Sequence, residues 1–230
     1  VSLIRYIVRV IYKENGDIKW FNVSIFFCFI LIGFYNLRVK PFLGDGVACV
    51  WDFSDSNKDF LSRRPGEIFS FILYDYTVRL LTILGVDTFK TFYIYNCISG
   101  LIFIYYLFRL QTELFKNNIN RIFSFIFLLF QVYLILFMGY IEYYSFPFAL
   151  SVMYIFYASK YIKGKCLLRI PVLIFILILM FHLLGIILLP SLVFLIILRS
   201  NNSNVLKQFF NYKYPKTVFI LILIGVFGFL

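Results

Sequence analysis

Residues 170–198 read IPVLIFILILMFHLLGIILLPSLVFLIIL, 29 consecutive positions of nearly pure hydrocarbon. It is broken by His182, Gly185 and Pro190. A helix needs about 20 apolar residues to cross a hydrocarbon core about 30 Å thick. The stretch therefore reads either as one long tilted helix or as a hairpin of two short spans turning near His182-Leu183-Leu184-Gly185. Both readings put this part of the chain in a membrane.

The rest of the composition agrees. Of 230 residues, 62% are hydrophobic, 22% aromatic and 14% charged, with mean hydropathy +0.90. A soluble domain of this size lacks the interior volume to hide so much apolar surface. Further apolar runs occupy 20–37, 91–108, 122–139 and 146–161, and another begins at Thr217. The period-2 alternation of a membrane barrel is absent. The expected fold is all-α: a polytopic transmembrane helix bundle of about six to seven spans. The chain lacks an initiating Met and its last apolar run, 217–230, is short for a span, so it reads as a piece of a longer protein cut at both ends.

Segment 1–19 sets Leu3, Ile4, Ile7, Val8 and Ile11 among Arg5, Arg9, Lys13 and Lys19, the pattern of a basic amphipathic helix on a membrane surface. The transmembrane domain is expected over 20–230, with an outer loop at 38–67 and an interfacial amphipathic helix at 68–84. Within that helix Asp75 and Arg79 stand four apart, as an ion pair would.

Charge orients the bundle. If 68–84 does not cross and 170–198 is a hairpin, one side receives 1–19, 109–121, 160–169 and 199–216. These carry fifteen Lys and Arg against three acids. The other side, with 38–90 and 140–145, carries seven Lys and Arg against eight acids. The positive-inside rule makes the first side cytoplasmic. The net charge of +11 is thus an orientation signal rather than a nucleic-acid footprint. The lipid bilayer is the expected partner, and the oligomeric state is not legible from the sequence. The four cysteines, Cys28, Cys49, Cys97 and Cys166, are scattered and read as small hydrophobes.

The loop at 38–67 concentrates polar chemistry. Five of the eleven acids fall within the 23 positions from Asp45 to Glu67. Asp45 lies between Gly44 and Gly46, where the backbone can turn tightly and a substrate can approach. Its carboxylate suits a general base or a metal ligand, and a plain turn explains it as well. Asp52, Asp55 and Asp59 would share one helix face, as cation ligands or as a solvated surface. Asp45 and Asp52 are the candidate metal ligands, with a divalent cation as the one candidate cofactor. Arg63 and Arg64 stand beside the apolar segment, where forked guanidiniums suit a phosphate. Glu142 is ringed by Tyr140, Tyr143 and Tyr144 at a membrane edge. His182, the one histidine, adjoins the turn in 170–198 as a proton donor, a phosphate ligand or a packing residue.

Taken in order, Phe42-Leu43-Gly44-Asp45-Gly46, Arg64-Pro65-Gly66-Glu67, Gly139-Tyr140-Ile141-Glu142-Tyr143-Tyr144, and His182-Leu183-Leu184-Gly185 through Leu189-Pro190-Ser191 form a pattern. It resembles the amino-terminal membrane half of GT-C class glycosyltransferases, which include protein mannosyltransferases and the lipid A aminoarabinose transferases. The resemblance covers about residues 20–200. It implies a polyprenyl-phosphate sugar as donor and Asp45 as the catalytic general base in the first outer loop. It also implies a substrate-binding role for Arg63 or Arg64 at the carrier phosphate, and for Glu142 and His182 in the donor pocket. Gly46 follows Asp45 where the class usually has a second acid. The rival readings are a transporter or flippase, and a membrane subunit without catalysis.

Overall fold

The structure, a computed structural model, describes residues 2–13, 18–36, 68–131, 136–137 and 143–200. The described residues form eight α-helices and one 3-10 helix, with no strand among them. They are α1 (Ser2–Ile11), α2 (Trp20–Asn36), α3 (Ile68–Ile83), α4 (Thr88–Leu114), α5 (Asn118–Leu129), α6 (Ser145–Ile162) and α7 (Arg169–Phe181). The 3-10 helix Leu183–Leu188 then leads into α8 (Leu189–Ser200).

The all-helical expectation holds. The count of six to seven spans is not reached by length and composition. Among the described residues one helix, α4, is long and apolar enough to cross a membrane. The apolar helices Trp20–Gly33, Asn118–Leu129, Arg169–Phe181 and Leu183–Leu198 are shorter. The reason is geometric: at 1.5 Å per residue, helices of 12 and 13 residues rise only about 18–20 Å. The run at 122–139 illustrates this, because its helix stops at Leu129, with Phe130 donating back to the Ile126 carbonyl.

The structure resolves the alternatives for 170–198 in favour of the hairpin. α7 ends at Phe181, and His182 takes an extended backbone (φ −159°, ψ 129°). The chain returns first as the 3-10 turn and then as α8. Pro190 falls in the first turn of α8, where its missing N–H costs no helical bond. Gly185 lets the return leg lie directly on α7: a Cβ there would stand 2.5 Å from Ile178 Cγ2.

The centre of the bundle is the pair α4 and α6, which share the most extensive interface. They run parallel, because links join them at both ends. At one end the Ser145 hydroxyl donates to Asn96 Oδ1 at 2.6 Å, with both side chains buried. At the other, the Glu113 carboxylate meets Lys163 Nζ at 3.1 Å and Lys165 Nζ at 2.6 Å. The Lys163 ammonium also donates to the Glu113 carbonyl. Gly164 (φ +69°) makes the left-handed turn that sets both lysines around Glu113. Ser99, Gly100 and Ala149 are small and buried in these two helices. Small residues let helix backbones approach where lipid supplies no hydrophobic drive for association.

The basic segments gather at the Glu113 end. Arg109 lies over the rings of Trp20, Tyr105 and Phe156, and Arg121 lies over Tyr12. α1 packs on α5 through its Ile4, Ile7 and Ile11 side. Its last carbonyls accept from the start of α2 and the residue before it: Lys19 Nζ donates to Arg9 O and Asn22 Nδ2 to Val10 O. The described members of 1–19, 109–121 and 160–169 therefore share one end of the bundle. The outer surface is apolar, with Phe21 76%, Phe29 68% and Leu173 63% exposed, as surfaces facing hydrocarbon are.

α3 covers the expected 68–84 to within one residue. It is less amphipathic than expected. Phe71, Tyr74 and Val78 are buried, but Ile72, Tyr76 and Leu80 on other sides are exposed and apolar. Its charges are confined to the ion pair Arg79–Asp75, at 2.9 Å. Asp87 caps α4 by accepting from the Lys90 N–H at 2.8 Å. That backbone hydrogen bond, followed by the Lys90 side chain, holds the Asp87 carboxyl below its ordinary value of 3.8. A lowered folded pKa stabilises above the unfolded value and loses that stabilisation as pH falls through the folded one. Asp87→Ala is expected to cost about 1 kcal/mol at neutral pH. Wild type and variant should converge below pH 3.8, and unfolding midpoints against pH in detergent measure both.

Candidate functional site

Three chain segments meet at the end of the bundle opposite Glu113. The first is the start of α3, the exit of the 38–67 loop. The Ser70 hydroxyl, fully buried, donates to the Phe181 carbonyl at 2.6 Å. The Phe69 ring stands edge-on to Phe181, with centroids 4.9 Å apart. The second is the start of α6, where Tyr144 lies 4.8 Å from the His182 imidazole and Phe146 stacks on Phe181 at 5.5 Å. The third is the hairpin apex itself, Phe181-His182.

The site grows out of local chemistry. A helix end leaves carbonyls without intrahelical partners, and a buried one needs another donor. Here Ile178 O accepts from His182 N at 2.9 Å, and His182 O accepts from Gly185 N at 3.0 Å. Phe181 O is left to Ser70. The His182 side chain caps the 3-10 turn, with Nδ1 accepting from the Leu184 N–H at 3.1 Å. A neutral imidazole that accepts at Nδ1 carries its proton on Nε2. His182 is 7% exposed. It is held by its own turn on one side and by Tyr144 on the other.

Beside the apex lies an aromatic cluster. Tyr74 packs on Phe92 at 4.6 Å and on Tyr95 at 4.0 Å, and Phe71 packs on Tyr143 at 4.7 Å. This joins α3, α4 and the start of α6 into one wall. The Asn96–Ser145 hydrogen bond lies behind it, with Ser99 Oγ donating to Asn96 O at 2.8 Å.

Of the residues singled out from sequence, the structure places His182. Asp45, Asp52, Arg63, Arg64 and Glu142 lie outside the described residues. Their chain neighbours are placed, however. Residue 70 follows the loop and Tyr144 follows Glu142 by two positions, and both stand at Phe181-His182, while Tyr143 packs on Phe71. Among the described residues no three His, Cys, Asp or Glu side chains gather as a metal site. Cys28, Cys97 and Cys166 are free thiols, and Cys49 lies outside the described residues.

Sequence reading passed over Ser70, Asn96 and Ser145. The available signal was weak: Asn96 and Ser99 stand one turn apart inside an apolar helix, as polar glue between membrane helices does. Ser70 carried no signal, because its partner is a backbone carbonyl 111 residues away. No protein-family model, no curated protein and no solved structure matches this chain.

Proposed function

We propose that the chain is the membrane half of a glycosyltransferase. It takes a sugar from a polyprenyl-phosphate carrier and passes it to an acceptor on the extracytoplasmic face. The observation that carries this reading is the meeting of the loop exit, the start of α6 and His182 at one end of the bundle. A lipid-linked donor keeps its chain in hydrocarbon and its phosphate at the boundary, so the reacting groups belong at such an end.

The depth of the bundle supports this placement. From Asn96 to Glu113, α4 rises roughly 26 Å, close to the hydrocarbon thickness of about 30 Å. The Glu113 end, with its basic segments, faces the cytoplasm in this reading, and the chain crosses the membrane about six to seven times. Asp45 is the general base that takes the proton of the acceptor hydroxyl as its oxygen attacks the sugar carbon. Arg63 or Arg64 holds the carrier phosphate, whose charge grows as the bond to the sugar breaks. Glu142 and His182 shape the donor pocket, and His182 offers Nε2–H as a donor.

A transporter would continue polar groups across the middle of the bundle. Between Ser99 and Gln111 the buried residues of α4 are Gly100, Phe103, Ile104, Leu107, Phe108 and Leu110, all apolar. Along α4 this favours chemistry at one end over passage through the centre; the hydrogen-bonded pair Tyr154–Ser191, at 3.1 Å, lies halfway along α6. The test uses full-length protein in liposomes with a labelled polyprenyl-phosphate sugar and a membrane glycan acceptor. Label leaving the carrier for the acceptor supports the reading. A carrier that changes leaflet with its sugar still attached overturns it in favour of a flippase.

A further inference from the structure

We propose that Ser70 is a positioning residue that holds His182 through the carbonyl of Phe181. The inference rests on the reading of His182 as part of the sugar-transfer site, and it identifies what sets the geometry of that residue.

A peptide unit is planar, so the Phe181 carbonyl and the His182 nitrogen turn together. The plane from which the His182 Cα departs is therefore held at both edges, by His182 N on Ile178 O at 2.9 Å and by Ser70 on the Phe181 oxygen. The bond from Ser70 is 2.6 Å long and without exposure to solvent. His182 N, Gly185 N and Leu184 N all bond within a turn of His182. Ser70 reaches the apex from a distant helix, and that helix begins where the 38–67 stretch of the sequence ends. The rings of Phe69 and Phe146 also pack on Phe181, at 4.9 and 5.5 Å. They hold its side chain, which rotatable bonds separate from the peptide plane.

A carbonyl deprived of its donor in apolar surroundings regains one by turning toward another. Turning the 181–182 peptide swings the imidazole away from Leu184 N and Tyr144. The hydroxyl of Ser70 thus acts on the site through His182, without touching substrate.

The 230 residues hold one histidine, and a His182→Gln variant identifies its signals in ring-15N histidine labelling of the full-length protein. Ser70→Thr and Ser70→Val are nearly equal in shape and differ by the hydroxyl, and Ser70→Ala repeats the comparison without added bulk. The expected result is wild-type imidazole signals in Ser70→Thr, and shifted or split signals in Ser70→Val and Ser70→Ala. Transfer by the two hydroxyl-free variants falls by about tenfold or more in kcat, as misplacement of a site group does. Their KM for the donor rises as well, because His182 lines the donor pocket in this reading. Equal imidazole signals in Ser70→Thr and Ser70→Val, at equal folded yield, overturn the proposal. If wild type transfers no sugar, the glycosyltransferase reading falls, and the imidazole signals decide the role of Ser70 by themselves.

Discussion

Asp45→Asn is expected to lower sugar transfer by about 10²- to 10⁴-fold, the range lost when a positioned general base is removed. The amide keeps the size of the carboxylate and its ability to accept hydrogen bonds, but it does not take a proton at neutral pH. Asn suits a Gly-x-Gly sequence as well as Asp does. Expression and membrane insertion should therefore match wild type. The measurement is incorporation of label from a polyprenyl-phosphate sugar into membrane glycans, normalised to folded protein. Undiminished transfer in Asp45→Asn would reduce Asp45 to a turn residue and remove the catalytic assignment. A loss that follows folded yield would likewise count against a chemical role.

Gly185→Ala is expected to destabilise the bundle by about 1–3 kcal/mol, the usual cost of forcing atoms into a packed site. The new methyl carbon would lie 2.5 Å from Ile178 Cγ2 and 3.4 Å from the Ile178 carbonyl carbon. Ile178 is 1% exposed, and its β-branch leaves Cγ2 no easy rotamer to escape into. Relief has to come from separating the return leg from α7, which strains the His182 turn between them. The cost is specific to one methyl group. Ile178→Leu moves the branch away from Cβ at nearly constant volume, so the double variant Gly185→Ala/Ile178→Leu should cost clearly less than the two single changes added. Unfolding in detergent measures the four proteins. Strict additivity would show that the contact does not govern the hairpin.

The hairpin shows how far the sequence could be read. His182, Gly185 and Pro190 marked breaks in 170–198, but a long tilted helix and a hairpin share the same composition. The decision rests on Gly185 lying against Ile178, a contact across the turn. α3 shows the opposite balance. Its limits followed from the local pattern almost to the residue, whereas its packing did not, because Phe71, Tyr74 and Val78 look no different in sequence from Ile72, Tyr76 and Leu80. For the site, His182 was legible as the one titratable group in a long apolar run. Ser70 was not, since a serine acquires meaning only from the carbonyl opposite it.

By itself, the sequence determined helical structure, its apolar exterior and where the basic segments lie along the chain. These follow from hydropathy and charge, which sum along the chain and need no partner. Tertiary structure decided that α4 and α6 run parallel, joined by Asn96–Ser145 at one end and by Glu113 with Lys163 and Lys165 at the other. It also decided that the Phe181 carbonyl takes its hydrogen bond from Ser70. Those bonds join residues 49 to 111 positions apart, and such a pair exists only after the helices between them have packed.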